Sequence, residues 1–564
     1  MGGSREARTS AIGAAAALAA LAFPGAAAAA PGDLDPAFGT GGVATVAAGA
    51  PARVVATGAG KIVVAGTSDT GSWKVARLAA DGKPDPAFSG DGRATVTLPG
   101  PGVGGLVGAA AVQSDGKVLI AGVRADDLAV VRLGTDGTLD AGFGTSGRAI
   151  LENSGQLFGF GWNSAFDLQI DASGKILVTG ALRPNATVLP ASATGAIVRL
   201  NANGSLDTTF GDSDAANGPA TKGAALGPAP PNGRIFGTPH LAVAGDGRIY
   251  AAGRQGLPDV PSFGYEPAVL RYTAAGLPDT SFGAGGAAVN APDTASRSLV
   301  AAFPLSSGVL AAGNRVKVNF GSGFDDDGFP FLQKLTAAGA PDTSFGPSGI
   351  KEIDISPETV QYLASDAVRR SNGTVIVAGS AIVQNLGIPG ILVRFTPAGA
   401  IDTSFGPAAA VAPLSANVVR ADAVPNLSDV ALLGDRLIAI GRTSVPSSNF
   451  IVGSFQLECS FILNCVVLTV PTPSGLSINT SALQANAPMG ILVKRIVGRR
   501  LVRVGRVPFG PQPRGKRRIR WNLKVNGKRL PAGRYEITLR AFNRRGRVAE
   551  LSRPIRITVP AARR

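Results

Sequence analysis

Histidine occurs once in the 564 residues and cysteine twice, beside two Met, three Trp and five Tyr. Two cysteines and one histidine are too few for a zinc site of nitrogen and sulfur ligands. His240 has no Ser or Cys partner in any recognisable motif, so no nucleophile–base pair stands out, and we read it as structural or exposed. No Gly-rich loop sits between a strand and a helix, so the scattered Gly pairs are read as turns and no nucleotide cofactor is expected. The 76 Gly fall far below a collagen-like share and show no Gly-X-Y period. Aromatic residues make up 6% of the chain and do not interleave with a basic stripe, which argues against nucleic acid as a partner. Glycoside hydrolysis needs two carboxylates in one cleft. Nearly all the Asp here falls in turns or in one repeated phrase. From these absences we expect no catalytic residues, no metal site and no cofactor.

What is present is a repeat. Asp-x-x-Phe-Gly appears at Asp35–Gly39 and returns around Phe88, Phe143, Phe210, Phe282, Phe345 and Phe405 after Phe38, with Ser89 replacing Gly in the second copy. The Phe-to-Phe intervals run from 50 to 72 residues, the period of an array of similar units. A basic residue stands eight positions before the Asp in each internal copy: Arg77 with Asp85, Arg132 with Asp140, Arg199 with Asp207, Arg271 with Asp279, Lys334 with Asp342 and Arg394 with Asp402. A constant offset inside a unit of variable length marks a hairpin whose turn sets its register. The turns are Asp81-Gly82, Asp136-Gly137, Asn203-Gly204 and Ala-Gly at 275–276, 338–339 and 398–399.

Upstream of each hairpin lies a short apolar run ending in Gly, from Ile62–Gly66 and Val118–Gly122 through Val375–Gly379 to Leu437–Gly441. Runs this short, rich in β-branched residues and bounded by turns, read as strands. A weaker, small-residue strand precedes each, as at 109–113, and a fourth follows the phrase, as at 93–96. Four strands per unit, seven times, describe an all-β chain with a seven-bladed β-propeller. The small-residue strand suits the axis. Val43–Val46 has no strands of its own before it and is expected to complete the last blade beside 451–457, closing the ring and removing an open edge. The alternative is that each unit is one blade as written, without closure. The recurring Phe packs between adjacent sheets, burying about 150–250 Å². The Asp accepts backbone N–H bonds in its turn. The Arg either crosses the hairpin to pair with it or is one of two solvated charges worth little. The final unit has Ser454 where the Arg is expected.

Leu/Pro-Asp-x-x-Phe-Gly-x-x-Gly after Val-x-Arg-Leu-x-x-x-Gly resembles the delta-60 repeat family over residues 31–457. That resemblance implies β-propeller units of unknown function in bacterial secreted or surface proteins, and it supplies no active-site residues. The Ser-x-Asp-x-Gly-x-Thr-Trp box of sialidase-type propellers is absent.

Residues 1–30, with Arg5 and Arg8 before an Ala-rich apolar run, read as a secretory signal. The run is short for a span of ~20 residues, although a membrane anchor is the alternative reading. No second candidate span follows. In an exported protein Cys459 and Cys465 are expected to form a disulfide in the segment 458–474 that leads to the C-terminal domain. The long variable stretches 181–194, 211–237, 254–266, 314–328 and 380–390 are the places for partners. Asp325-Asp-Asp-Gly328 reads as a solvated turn whose acidic spacing does not match a calcium-binding loop.

From residue 471 the composition changes. Residues 471–564 hold 23 Lys or Arg against Glu536 and Glu550, a net +21 that leaves −5 for the rest of a chain of total +16. Arg499, Arg500, Lys516, Arg517, Arg518, Arg544 and Arg545 form the basic patch. Ile519, Trp521 and Leu523 alternate with basic residues, so the segment 475–564 reads as a small β-sandwich rather than a disordered tail. Trp-x-Leu, Asn-Gly-Lys and Leu-Pro-Ala-Gly-Arg-Tyr-Glu-Ile resemble the immunoglobulin-like domain of flagellar hook-capping proteins over roughly 475–560. The charge reads either as attraction to an anionic cell-wall polymer or lipid head groups, or as a solubility feature.

Two functions follow. The main expectation is a non-catalytic secreted propeller, an extracellular binding scaffold for a protein or glycan, held at the envelope by its basic domain. The alternative is an enzyme acting on an envelope glycan through the central pocket. A channel lined by Ala, Val and Gly favours the first, and a cluster of carboxylates or of Arg and Tyr favours the second.

Overall fold

The computed structural model describes residues 31–559 apart from 69, 100–104, 126, 152–160, 184–193, 212–222, 227–235, 257–264, 290–294, 320–322, 356–360, 383–387, 407–416, 444–448, 458–466, 469–475, 483–486, 498–499, 513–514, 543–547 and 552–554. Residues 1–30, read above as a secretory signal, both cysteines, Arg499, Arg544 and Arg545 therefore lie outside the described residues.

The chain from residue 31 to 457 is all-β and propeller-like. It forms seven four-stranded antiparallel sheets. The second is typical: Leu106–Val112, Val118–Arg124, Asp127–Leu133 and Arg148–Leu151 pair in chain order. The second strand of the first sheet, Ile62–Thr67, is buried along its whole length, as its continuous apolar run requires between two neighbouring sheets. The innermost strands, Ala50–Ala56, Leu106–Val112, Gly161–Ile170, Phe236–Val243, Ala295–Leu305, Gln361–Arg369 and Asp429–Leu433, pack side by side in chain order, and the last packs against the first. Val43–Ala48 pairs antiparallel with Asn449–Gln456, Val43 opposite Gly453. Asp325–Gly328 differs from its expected turn: it lies within the strand Gly323–Thr336, because the third strand of that sheet runs on to meet Arg315–Asn319.

The repeated phrase joins neighbouring sheets. Phe38, Phe88, Phe143, Phe210, Phe282 and Phe405 are fully buried, and Phe345 is partly buried. Six of the rings, all but Phe405, cover the turn glycine of the following sheet. At Gly276, φ is +82° and a Cβ would lie 2.6 Å from the Phe210 ring, so only Gly fits. The backbone N–H after the Phe donates to that same turn, as from Gly211 to the Ala275 carbonyl at 2.8 Å.

The repeated cations lie in the same joints. Arg77, Arg132, Arg199, Arg271 and Arg394 donate through Nε to Asp85, Asp140, Asp207, Asp279 and Asp402 at 2.8, 2.8, 2.7, 2.7 and 2.9 Å, and Lys334 reaches Asp342 at 2.9 Å. Each Arg also stacks on the Phe of its own phrase, 4.3 to 4.8 Å from the ring centre. Each then donates through Nη1 to a carbonyl of the next sheet: those of Thr135, Ala202, Ala274, Ala337 and Leu457. These are planar, three-way contacts that a guanidinium makes and an ammonium does not.

The C-terminal region is also all-β. Leu476–Ala482 pairs with Val467–Leu468 and Gly515–Trp521 in one sheet, the strand that carries Lys516, Arg517 and Arg518. Ala487–Val497 lies between Arg500–Gln512 and Gly533–Phe542 in another. Ile491, Val493, Trp521, Leu523, Leu530, Tyr535 and Ile537 are buried there. Among the described residues no helix is long and apolar enough to cross a membrane.

Candidate functional site

In each sheet one residue of the innermost strand sits opposite the residue that precedes the second-strand glycine. In chain order these seven are Arg53, Ala109, Asp167, His240, Ala301, Asp366 and Asp429, opposite Ala65, Ala121, Thr179, Ala252, Ala312, Ala378 and Ile440. In six of the seven strands, all but Asp429–Leu433, a β-bulge immediately precedes the residue. The extra residue of a bulge re-aims the side chain that follows it. Arg53, Asp167, His240, Ala301, Asp366 and Asp429 all line one central cavity of ≈ 550 Å³, walled otherwise by small and aliphatic residues of the innermost strands, with Gln169 and Phe303.

The three carboxylates each reach the next sheet. Asp167 Oδ2 accepts from the Leu241 N–H at 2.8 Å, Asp366 Oδ2 from Val430 at 3.3 Å and Asp429 Oδ2 from Val54 at 2.6 Å. The fold does not require this bridge, since Ala109 and Ala301 hold the same position in the second and fifth sheets. Arg53 spans the space over Ala109: one Nη meets Asp429 Oδ1 at 3.4 Å and the other donates to the Phe166 carbonyl in the third sheet.

Asp366 and Asp429 share a hydrogen bond, which needs one proton between them. Burial first, and the Asp429 charge second, push the Asp366 carboxyl well above the usual carboxylate range against the pull of Arg53. Burial also raises Asp429, but Arg53, the Val54 N–H and the bond from Asp366 all favour its charged form. Asp366 is therefore held toward its protonated form, and Asp429 has beside it the cation and the N–H donor that suit a charge. Burial and the Arg53 cation push the His240 imidazole down to about 4, opposed by Asp167, so it is neutral near pH 7. Among the described residues no group of three or more His, Cys, Asp or Glu is placed to hold a metal ion.

The cavity corrects the main expectation drawn from the sequence. A non-catalytic scaffold was to show a channel of Ala, Val and Gly, and the channel instead carries three Asp, one Arg and the sole His. Sequence alone assigns the Asp residues to turns and His240 to a structural or exposed place, and the structure puts Asp167, Asp366, Asp429 and His240 on the cavity wall. Of the sequence-predicted residues, the repeated Phe, Arg, Lys and Asp lie in the joints between sheets and none lines this cavity. Arg500 is exposed at the start of Arg500–Gln512.

A family described as a domain of unknown function (DUF5122) beta-propeller matches residues 60–88, 113–143, 172–210 and 370–405. No curated protein matches the chain in sequence. Among solved structures, the chain is similar to an α-L-arabinanase of Penicillium chrysogenum complexed with arabinobiose, with 13% identity, 63% of this chain and 93% of that one covered, and a TM-score of 0.38. It is similar to an endo-arabinase of Bacteroides thetaiotaomicron, with 9% identity, 62% and 93% covered and a TM-score of 0.31. A gluconolactonase of Xanthomonas campestris gives 11% identity, 73% and 88% covered and a TM-score of 0.28. These structures are enzymes by name, and the correction of the non-catalytic expectation rests on the cavity.

Proposed function

We propose that the central cavity is the active site of a hydrolase acting on a glycan. The observation that carries this reading is a pair of hydrogen-bonded carboxyl groups, Asp366 and Asp429, on the wall of an open cavity that a third, Asp167, also lines. Environments that push the pKa values of neighbouring carboxyl groups apart assign an acid and a base. Asp366 donates its proton to the leaving oxygen and regains one from water, and the neighbouring Asp429 charge favours that reprotonation. Asp167, three sheets away around the ring, is the carboxylate that serves the opposite side of the bond, as nucleophile or as base for water. Arg53 and the neutral His240 offer donors to the hydroxyl groups of a sugar. The test is release of reducing ends by the purified protein from a panel of envelope and plant polysaccharides. Release from at least one supports the reading.

The architecture that serves this site is proposed as a seven-bladed propeller of delta-60-type repeats over residues 31–457, closed by the N-terminal strand. The pairing of Val43–Ala48 with Asn449–Gln456 supports it. Residues 475–564 are proposed as an immunoglobulin-like sandwich following a linker at 458–474. The Tyr535 hydroxyl donates to the Pro531 carbonyl at 2.8 Å, the upstream backbone bond of a tyrosine corner. Residues 1–30 direct secretion, and the basic C-terminal region meets an anionic surface outside the cell.

A further inference from the structure

Ala487–Val497 and Arg500–Gln512 form a long antiparallel hairpin. Its third strand, Gly533–Phe542, follows it only as far as the Arg495–Tyr535 pair. Beyond that point, among the described residues, no strand pairs with either arm. The free end carries Val497, Leu501 and Val502 at 54%, 46% and 51% exposure, three of the nine most exposed large aliphatic side chains described in the chain. Ile496 is opposite Leu501, Val497 opposite Arg500 and Arg495 opposite Val502. Side chains alternate between faces along a strand, so both faces of the tip are aliphatic and both carry guanidinium groups. Arg495, Arg500 and Arg503 are exposed and form a collar around it.

We infer that this hairpin tip is a membrane-interface element that inserts its aliphatic side chains among anionic lipid head groups. A net charge of +21 over residues 471–564 supplies long-range attraction to an anionic surface. Charge alone would serve equally for a dissolved polyanion. The aliphatic tip distinguishes the two: exposed Val and Leu gain nothing from a hydrated polymer, but they gain from the head-group boundary of a bilayer, and the arginine collar sits at the height of the lipid phosphates.

The test is sedimentation of the full chain with vesicles of phosphatidylglycerol and phosphatidylcholine, with pure phosphatidylcholine, and binding to soluble polyphosphate. Binding to the anionic vesicles that falls with salt is expected, with little to pure phosphatidylcholine. The triple variant Val497→Ser, Leu501→Ser, Val502→Ser keeps every charge. It should lose vesicle partitioning by about tenfold or more and bind polyphosphate as the parent does. Leu501→Trp keeps the tip apolar and should show a blue-shifted emission on anionic vesicles alone. Vesicle binding unchanged in the triple variant, an unshifted Trp, or binding to polyphosphate without any to vesicles overturns the inference. So does self-association through the tip in place of vesicle binding.

Discussion

Arg436 and Asp35, 401 residues apart, meet at 3.3 Å between Nη1 and Oδ2. The same nitrogen donates to the Ala80 carbonyl of the first sheet at 2.7 Å. In the first four sheets and the sixth this joint is made by the third-strand Arg. In the last sheet that position is Ser454, opposite Ile438, and Arg436 at the start of the second strand takes over both contacts. Arg436→Ala removes the Arg donor from Asp35 and from the carbonyl and should lower stability by about 1.5–3 kcal/mol, the range for hydrogen bonds to charged groups. Arg436→Lys should recover some of that. Urea denaturation followed by far-ultraviolet circular dichroism measures both.

The fifth sheet is the one joint with Lys in the repeated position. Lys334 pairs with Asp342, and its Phe345 is less buried than the other six phrase rings. Arg271→Lys keeps an ion pair but gives up the Ala337 carbonyl and the stacking on Phe282, so a loss of about 1–2 kcal/mol is expected. Lys334→Arg should move the other way by about 0.5–1 kcal/mol, since the fork reaches a carbonyl and a ring that the ammonium does not. Equal denaturation midpoints for the two exchanges would contradict the three-way role of the guanidinium.

The proposed acid also predicts the pH dependence of activity. Asp366 donates only while protonated, and burial and the Asp429 charge hold its proton on to a higher pH than an ordinary carboxyl. Asp429→Asn removes a raising cause, so the alkaline limb of residual kcat/KM should move to lower pH. Arg53→Gln removes the opposing cation, so the limb should move to higher pH. His240, pushed down to about 4, is neutral throughout the range above pH 5, and His240→Asn should leave that limb in place. Rate profiles of the three variants check the signs.

The scaffold was readable because its chemistry repeats. Phe, Asp and Arg recur at fixed offsets, and the turn glycines recur because the preceding ring leaves no room for a Cβ. The site was not readable in the same way because its residues differ from sheet to sheet: Arg, Ala, Asp, His, Ala, Asp, Asp. A functional ring on a repeat scaffold is what fails to repeat. The bulges before these residues also break the alternation that would have marked their strands. A signal was nevertheless present. Aligning the copies on the second-strand glycine puts each of these residues thirteen positions upstream, or twelve in the fifth and seventh sheets. Five of those seven positions are ionisable.

The most direct measurement is glycan hydrolysis by the parent protein beside Asp366→Asn and Asp167→Asn, with thermal unfolding of each variant recorded in parallel. The account predicts release of reducing ends by the parent and a fall of about 10²-fold or more in kcat for both variants at unchanged or higher melting temperature, the scale of lost acid–base catalysis. Turnover that survives both substitutions, or a folded parent protein that releases nothing from any glycan offered, would contradict the claim that the channel carboxylates are an active site.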